Sequence, residues 1–201
     1  TKLLDSRVTF NGVLFYSDRK DQQVLISTQT DPSDPNTFSF LTQNAAEGIN
    51  QGLEVNIDIQ ISESLGAFLN LGILKTEIKN WQSRKDLEGR AQAHAPERSY
   101  ALGFNWTPTT HTYLAIDFTG NSSFYYSDSH NNKSKSYTLT NLNLGYVKNN
   151  WNYELWARNI FDEYYSVRGF YFGNEAPNFI DTLYERHGDP RNIGLSIRYD
   201  F

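Results

Sequence analysis

The 201-residue chain contains no cysteine and no methionine. Without cysteine there can be no disulfide and no thiolate metal site. Position 1 is threonine, and "TKLLDSRVTF" has no charged-then-apolar signal layout. The expectation is a processed or cut end, or a piece of a longer chain. No apolar run approaches the roughly 18 residues of a membrane helix. No segment carries the 3.6-residue period of an amphipathic helix either. A net charge of −5 gives no basic surface for a nucleic-acid partner. Mean hydropathy of −0.60 resembles that of a soluble protein. It does not exclude a membrane, because a transmembrane barrel alternates apolar and polar residues and hides its hydrophobicity from any average.

What the chain has is aromatic residues, 15% of the total, and a period of two. "NQGLEVNIDIQIS" places Leu53, Val55, Ile57, Ile59 and Ile61 on one face and Glu54, Asn56, Asp58 and Gln60 on the other. "SLGAFLNLGIL" opposes Leu65, Ala67, Leu69, Leu71 and Ile73 to Gly66, Phe68, Asn70 and Gly72. "SYALGFNW", "TYLAIDF", "NLNLGY" and "NWNYELWARN" repeat the pattern, the last less cleanly. The final "RNIGLSIRYDF" sets Ile193, Leu195, Ile197, Tyr199 and Phe201 against Gly194, Ser196, Arg198 and Asp200. Strict alternation over such lengths predicts half-buried strands. Nine are expected, at roughly 6–17, 22–29, 39–61, 65–79, 97–107, 111–125, 136–148, 150–161 and 191–201.

The connections sort by length. Segments 17–22, 62–64, 107–111 and 148–150 read as short turns, and 29–38, 79–97, 126–135 and 162–190 as long polar loops. Short and long alternate along the chain. Outer-membrane barrels have this asymmetry, with short periplasmic turns and long extracellular loops. In that setting Glu54, Asp58, Asp117, Glu154 and Arg158 face the lumen. Long strands such as 44–61 and 111–125 imply a wall that continues above the bilayer. Rings near strand ends (Tyr16, Trp81, Trp106, Tyr146, Trp151, Tyr199 and Phe201) suit an interfacial girdle, although core or edge aromatics would look the same. Nine is odd while bacterial single-chain barrels have even strand numbers, so a strand is merged or missed, or the barrel's beginning is absent. Alternation alone also fits a soluble β-sandwich binding module with its faces inverted. A complete small outer-membrane barrel of eight to ten strands, acting as adhesin, pore or enzyme, fits as well.

Several pieces in order resemble one family. They are "EGINQGLEVNIDI" (47–59), "AHAPERSYALGFNW" (93–106), "NLNLGY" (141–146), "WARNIFDEYYSVRGF" (156–170) with its N-[IL]-F-D-x-x-Y core, and "GDPRNIGLSIRYDF" (188–201) ending on phenylalanine. Together the chain resembles the C-terminal barrel portion of a TonB-dependent outer-membrane receptor. The resemblance implies an all-β, antiparallel, up-and-down transmembrane barrel of 22 strands. About nine would be present here, with the N-terminal plug and earlier strands absent. It further implies uptake of a scarce nutrient, most often a ferric siderophore, in the Gram-negative outer membrane. The partners implied are outer-membrane lipid, the nutrient ligand, TonB through the absent N-terminal region, and the barrel-assembly machinery through the terminal strand. No nucleic acid and no cofactor are implied.

Catalytic chemistry is not expected. No serine sits in a G-x-S-x-G context, and His94, His111, His130 and His187 have neither i,i+4 nor H-x-H spacing for a metal. Asp31 and Asp34 read as solvated loop charges. The N-I-F-D turn (Asn159 to Asp162) is expected to end a strand through side chain-to-backbone bonds. Arg191 is placed to pair with Asp189 or with headgroup phosphates. Ligand contacts are expected from aromatic and cationic groups in the outer loops: Trp81, Arg84, Arg90, Tyr125, Tyr126, Arg168, Tyr171 and Arg186. Residues expected to face the membrane are Leu53, Val55, Ile57, Ile59, Ile61, Leu195, Ile197, Tyr199 and Phe201.

Overall fold

The computed structural model describes residues 2–5, 7–31, 33–34, 37–128 and 130–201, with backbone alone for 2, 24–29, 38, 40–41 and 43–45. Part of the expected loop at 29–38 therefore lies outside the described residues. The strands in chain order are β1 (Lys2–Leu3), β2 (Val8–Gln29), β3 (Phe38–Gln60), β4 (Leu65–Trp81), β5 (Arg98–Thr109), β6 (Thr112–Asn121), β7 (Tyr137–Lys148), β8 (Trp151–Arg158), β9 (Ser166–Phe172), β10 (Thr182–His187) and β11 (Asn192–Tyr199). One 3₁₀ turn, Lys85–Leu87, follows β4.

Nine of these strands form a single antiparallel sheet in the order β1-β2-β3-β4-β5-β6-β7-β8-β11. Each pairs with the next strand of this sheet along the chain, β8 with β11 across the β9–β10 hairpin, as in an up-and-down barrel wall. The sheet is open, with edges at β1–β2 and at β11. Among the described residues the other sheet is the two-stranded pair of β9 and β10, too small to form the second layer of a sandwich, so the sandwich reading fails.

Three details differ from the sequence reading. The expected turn at 17–22 does not turn. β2 runs straight through it, with register shifts between Arg19 and Gln23 where pairing to β3 slips past extra residues. The polar run "SDRKDQ" marks a bulge, with Asp21 at φ 51°. The two expected strands are thus one, and the ninth sheet strand is the two-residue β1, joined to β2 by residues 4–7. The expected strand at 111–125 stops at Asn121. The expected structureless loop at 162–190 contains the β9–β10 hairpin. Short and long connections still alternate.

β2 and β3 hold 22 and 23 residues. At a rise of about 3.4 Å per residue they extend for roughly 75 Å. That length far exceeds the span of about 9–11 residues that crosses a bilayer.

Register carries two faces through the whole sheet. Phe10 pairs with Ile57, Ile57 with Leu69, Leu69 with Leu102, and Leu102 with Phe118. Further along, Leu114 pairs with Leu144, Leu144 with Leu155, and Leu155 with Leu195. On the opposite face Asp58 pairs with Phe68, Phe68 with Gly103, Gly103 with Asp117, and Asp117 with Asn141. A slip of one residue at any ladder would interchange the faces; below the β2–β3 bulges the described ladders of the sheet shift only past Trp106, at the turn between β5 and β6. On the polar face the rings of Phe68, Tyr113 and Trp156 lie where a Cβ would stand on Gly103, Gly145 and Gly194. Only glycine admits such an approach, and the ring covers backbone that glycine leaves bare.

The polar face is hydrogen-bonded within itself. Asn56 Nδ2 donates to Asn70 Oδ1 (2.8 Å), Asn141 Nδ2 to Asp117 Oδ2 (2.7 Å), and Tyr113 OH to Glu154 Oε2 (2.6 Å). At the end with short turns, the apolar face carries an aromatic group. Trp151 lies 4.8 Å from Tyr199 and Tyr199 lies 5.2 Å from Phe201, centroid to centroid. Tyr16, Trp106 and Tyr146 are also exposed, whereas Trp81 is only 2% exposed and leaves the expected girdle set.

Candidate functional site

Three long connections gather at the other end of the sheet. Residues 82–97 fold back along the top of β4: Gly89 N donates to Ile78 O (2.8 Å), Ile78 N to Arg90 O (2.9 Å), and Gln92 N to Thr76 Oγ1 (3.0 Å). Gln92 Nε2 then reaches Asn50 Oδ1 on the polar face, at 2.9 Å. Trp81 and Leu87 close against Ala46 and Ile78, the one cluster of buried apolar residues among those described. The wall itself has no such core because its apolar face lies open.

Residues 122–136 are held beside this connection largely by Arg90, whose side chain is 8% exposed. Arg90 donates to Asp128 Oδ1 (3.0 Å), Asn131 Oδ1 (2.8 Å), Ser127 O (3.0 Å) and His130 O (2.9 Å). Its guanidinium also stands 4.3 Å from the Tyr125 ring centroid, with Lys133 Nζ 4.2 Å from the same centroid. Arg84 pairs with Asp86 (2.9 Å) and donates to Asp128 O (3.2 Å). Burial, with Arg90 adding to it, holds the His130 imidazole below its ordinary pKa.

The hairpin of the third connection, 159–191, packs on the second. Tyr126 is buried, lies against Gly169, and donates to the Glu185 carboxylate. Burial first, and then that carboxylate, push its hydroxyl up to about 12. Tyr171 faces His130 with centroids 5.7 Å apart.

The N-I-F-D turn starts this connection through side chain-to-backbone bonds. Asn159 takes a left-handed φ of 48°. Its Nδ2 donates to Glu163 O (2.9 Å) and Asp189 O (3.2 Å), and its Oδ1 accepts from Glu163 N (2.8 Å). Arg191 closes the loop onto the turn and does not meet Asp189: its backbone N donates to Asp162 Oδ1 (2.8 Å) and its guanidinium to Ile160 O (3.4 Å). A hollow of about 560 Å³ is lined by Asn56, Asn70, Ser99, Thr119 and Asn121 of the polar face together with Tyr165 and Val167 of this connection.

The eight candidate contact residues are thus divided. Trp81 and Tyr126 are buried, Arg84, Arg90 and Tyr125 tie connections together, and Arg168, Tyr171 and Arg186 are exposed on the hairpin. Asp128, Lys133, Phe170 and Glu185 belong to the same assembly and were not singled out from sequence. The β-branched and aromatic residues of "SVRGFYF" and "TLYERH" carry the signal that could have found the hairpin. Asp31 Oδ1 is taken by its own loop, accepting from Ser33 N (2.8 Å) and Oγ (2.6 Å). Among the described residues, no three metal-ligating side chains gather.

A single-layer up-and-down sheet, apolar on one face and polar on the other, with short turns at one end and layered loops at the other, defines the wall of an outer-membrane β-barrel. The chain belongs to the TonB dependent receptor-like, beta-barrel family, whose model matches residues 1–160. This is a family of transport receptors of the Gram-negative outer membrane. Among solved structures the chain is similar to the ferric yersiniabactin uptake receptor FyuA from Yersinia pestis, with a TM-score of 0.77 and 16% identity over 98% of this chain and 28% of that one. It is similar to the siderophore receptor PiuA from Acinetobacter baumannii, with a TM-score of 0.75 and 15% identity over 98% and 27%. It is also similar to the copper transporter OprC, with a TM-score of 0.76 and 13% identity over 97% and 30%. The chain therefore spans less than a third of the length of each of these structures.

Proposed function

We propose that this chain is the C-terminal wall of a longer receptor barrel that imports a ferric siderophore by TonB-coupled transport. The observation that carries the reading is the open sheet. Its end strands leave backbone donors and acceptors unpaired, which a bilayer does not tolerate, so earlier strands are needed to close it. The share of the matched structures that the chain covers supports the same reading.

In this reading the apolar face, including Leu53, Val55, Ile57, Ile59, Ile61, Leu195, Ile197, Tyr199 and Phe201, meets lipid. The polar face meets the lumen and an N-terminal plug through which TonB acts. The terminal strand and Phe201 serve recognition by the barrel-assembly machinery. No enzymatic step is assigned. Of the candidate contacts, Arg168, Tyr171 and Arg186 are open to an incoming chelate. Trp81, Arg84, Arg90, Tyr125 and Tyr126 shape the surface from beneath.

Similarity to the siderophore receptors FyuA and PiuA supports a siderophore as cargo, while similarity to the copper transporter OprC makes copper the outcome to test against. The experiment is growth of a strain lacking the gene for the full-length receptor, with ferric siderophores supplied singly as the iron source. One siderophore should fail to support growth, and the restored gene should rescue it. A growth defect under copper limitation alone would overturn the siderophore reading.

A further inference from the structure

The β9–β10 hairpin has two unlike faces. One packs on residues 122–136, with Gly169 against the Tyr126 ring, Glu185 accepting from Tyr126 OH, and Tyr171 against His130. Strand alternation turns the other face away from that packing. It presents Arg168 opposite Arg186 and Phe170 opposite Tyr184, as direct cross-strand partners. Side chains so placed have Cβ atoms about 4.5–5.5 Å apart, and like charges directly opposite destabilise a pair. Among the described residues neither arginine forms an ion pair. Glu185 lies on the packed face, where it accepts from Tyr126 OH, and Glu175 accepts from Tyr184 OH at 3.2 Å. The Arg168 guanidinium lies 4.7 Å from the Phe170 ring centroid, so a half-exposed ring forms a floor for it.

Two arginines directly opposite each other on one face, neither in an ion pair among the described residues and one over an aromatic ring, are complementary to an anion that both can grip. We infer that the Arg168–Arg186 face of the hairpin binds a multiply charged oxyanion of the phosphate class. A phosphorylated headgroup in the outer leaflet and a soluble phosphate offer the same chemistry. The inference rests on the reading of residues 159–191 as an external connection, and does not depend on which nutrient is imported.

The test uses the intact receptor in nanodiscs, titrated with inorganic pyrophosphate at low salt and followed by ³¹P NMR. One set of discs contains a disaccharide lipid bearing two phosphates, and the other its dephosphorylated form. Saturable binding is expected in the dephosphorylated discs. Arg168→Gln or Arg186→Gln should each weaken it at least about tenfold, as loss of a charge-assisted contact does. The double substitution should abolish it, and Arg168→Lys should lose less. Blocked pyrophosphate binding in the phosphorylated discs identifies a headgroup as the occupant, and equal binding in both identifies a soluble anion. No saturable binding, or glutamine variants that bind as the native protein does, overturns the inference. Thr182→Cys separates the two readings: failure to react with an impermeant thiol reagent on whole cells refutes the external placement, whereas reaction without pyrophosphate binding refutes the oxyanion site alone.

Discussion

Replacing Ile57 with arginine tests the lipid-facing assignment where it is most costly to be wrong. The apolar run of β3 extends from Leu53 to Ile61, and Ile57 is its midpoint. At about 3.4 Å per residue each end of the run lies roughly 14 Å away along the strand. With a tilt of about 35–45° the vertical distance is roughly 10 Å, so Ile57 lies near the bilayer midplane. Its cross-strand neighbours, Phe10 and Leu69, are equally apolar. An arginine there has no partner, and the expected loss is about 2–4 kcal/mol. Asp58, one residue on, pairs with Thr9 and Phe68 on the polar face and is exposed. Asp58→Arg breaks no ion pair among those described and should stay within about 0.5 kcal/mol. Urea titration of the full-length receptor folding reversibly into lipid vesicles measures both. Equal losses, or a larger loss for Asp58→Arg, would refute the two-faced reading of the wall.

Arg90→Ala leaves Asp128 without its ion-pair partner, together with two carbonyls and an amide oxygen, and should cost about 2–4 kcal/mol of local stability; hydrogen exchange should rise at residues 126–133 while β3 and β4 stay protected. Asn159→Ala removes three side chain-to-backbone bonds at a residue with φ 48° and should loosen the 159–191 connection by about 2 kcal/mol. Asn159→Gly, which tolerates that φ, should lose less, and limited proteolysis ranks the two. The His130 pKa lies below its ordinary 6.5 through burial first and Arg90 second. The fold therefore favours neutral imidazole: its stabilisation is present above pH 6.5 and is lost as pH falls through the lowered value. Opening of residues 122–136, read by protease sensitivity, should increase as the medium is acidified below pH 6.5, and His130→Asn should remove that dependence.

The strand pattern was legible because a wall one sheet thick imposes a period of two on every residue, and no helix or second layer blurs it. Ile57 and Asp58, or Leu195 and Arg198, could be assigned to opposite faces from sequence alone. The bulge at Arg19–Gln23 was not legible, because "SDRKDQ" has the composition of a turn and only pairing to β3 shows that the chain goes straight on. The candidate site was less legible still. Arg84, Arg90, Arg168 and Arg186 are alike as letters in polar loops. Their separation into fasteners and cations without an ion pair among the described residues depends on the partner each is given by another segment: Arg90 meets Asp128, while Arg168 stands opposite Arg186.

Sequence by itself thus determined the class of fold, the two faces, the sorting of connections by length and the family, because each follows from local periodicity, loop length and motif order. Tertiary structure alone decided that Trp81 and Tyr126 are buried, that Arg191 meets Asp162 and Ile160 rather than Asp189, and that two arginines stand opposite each other on the last connection's hairpin. Those outcomes depend on contacts between loops, where spacing along the chain carries no periodic signal and the partner is chosen by packing.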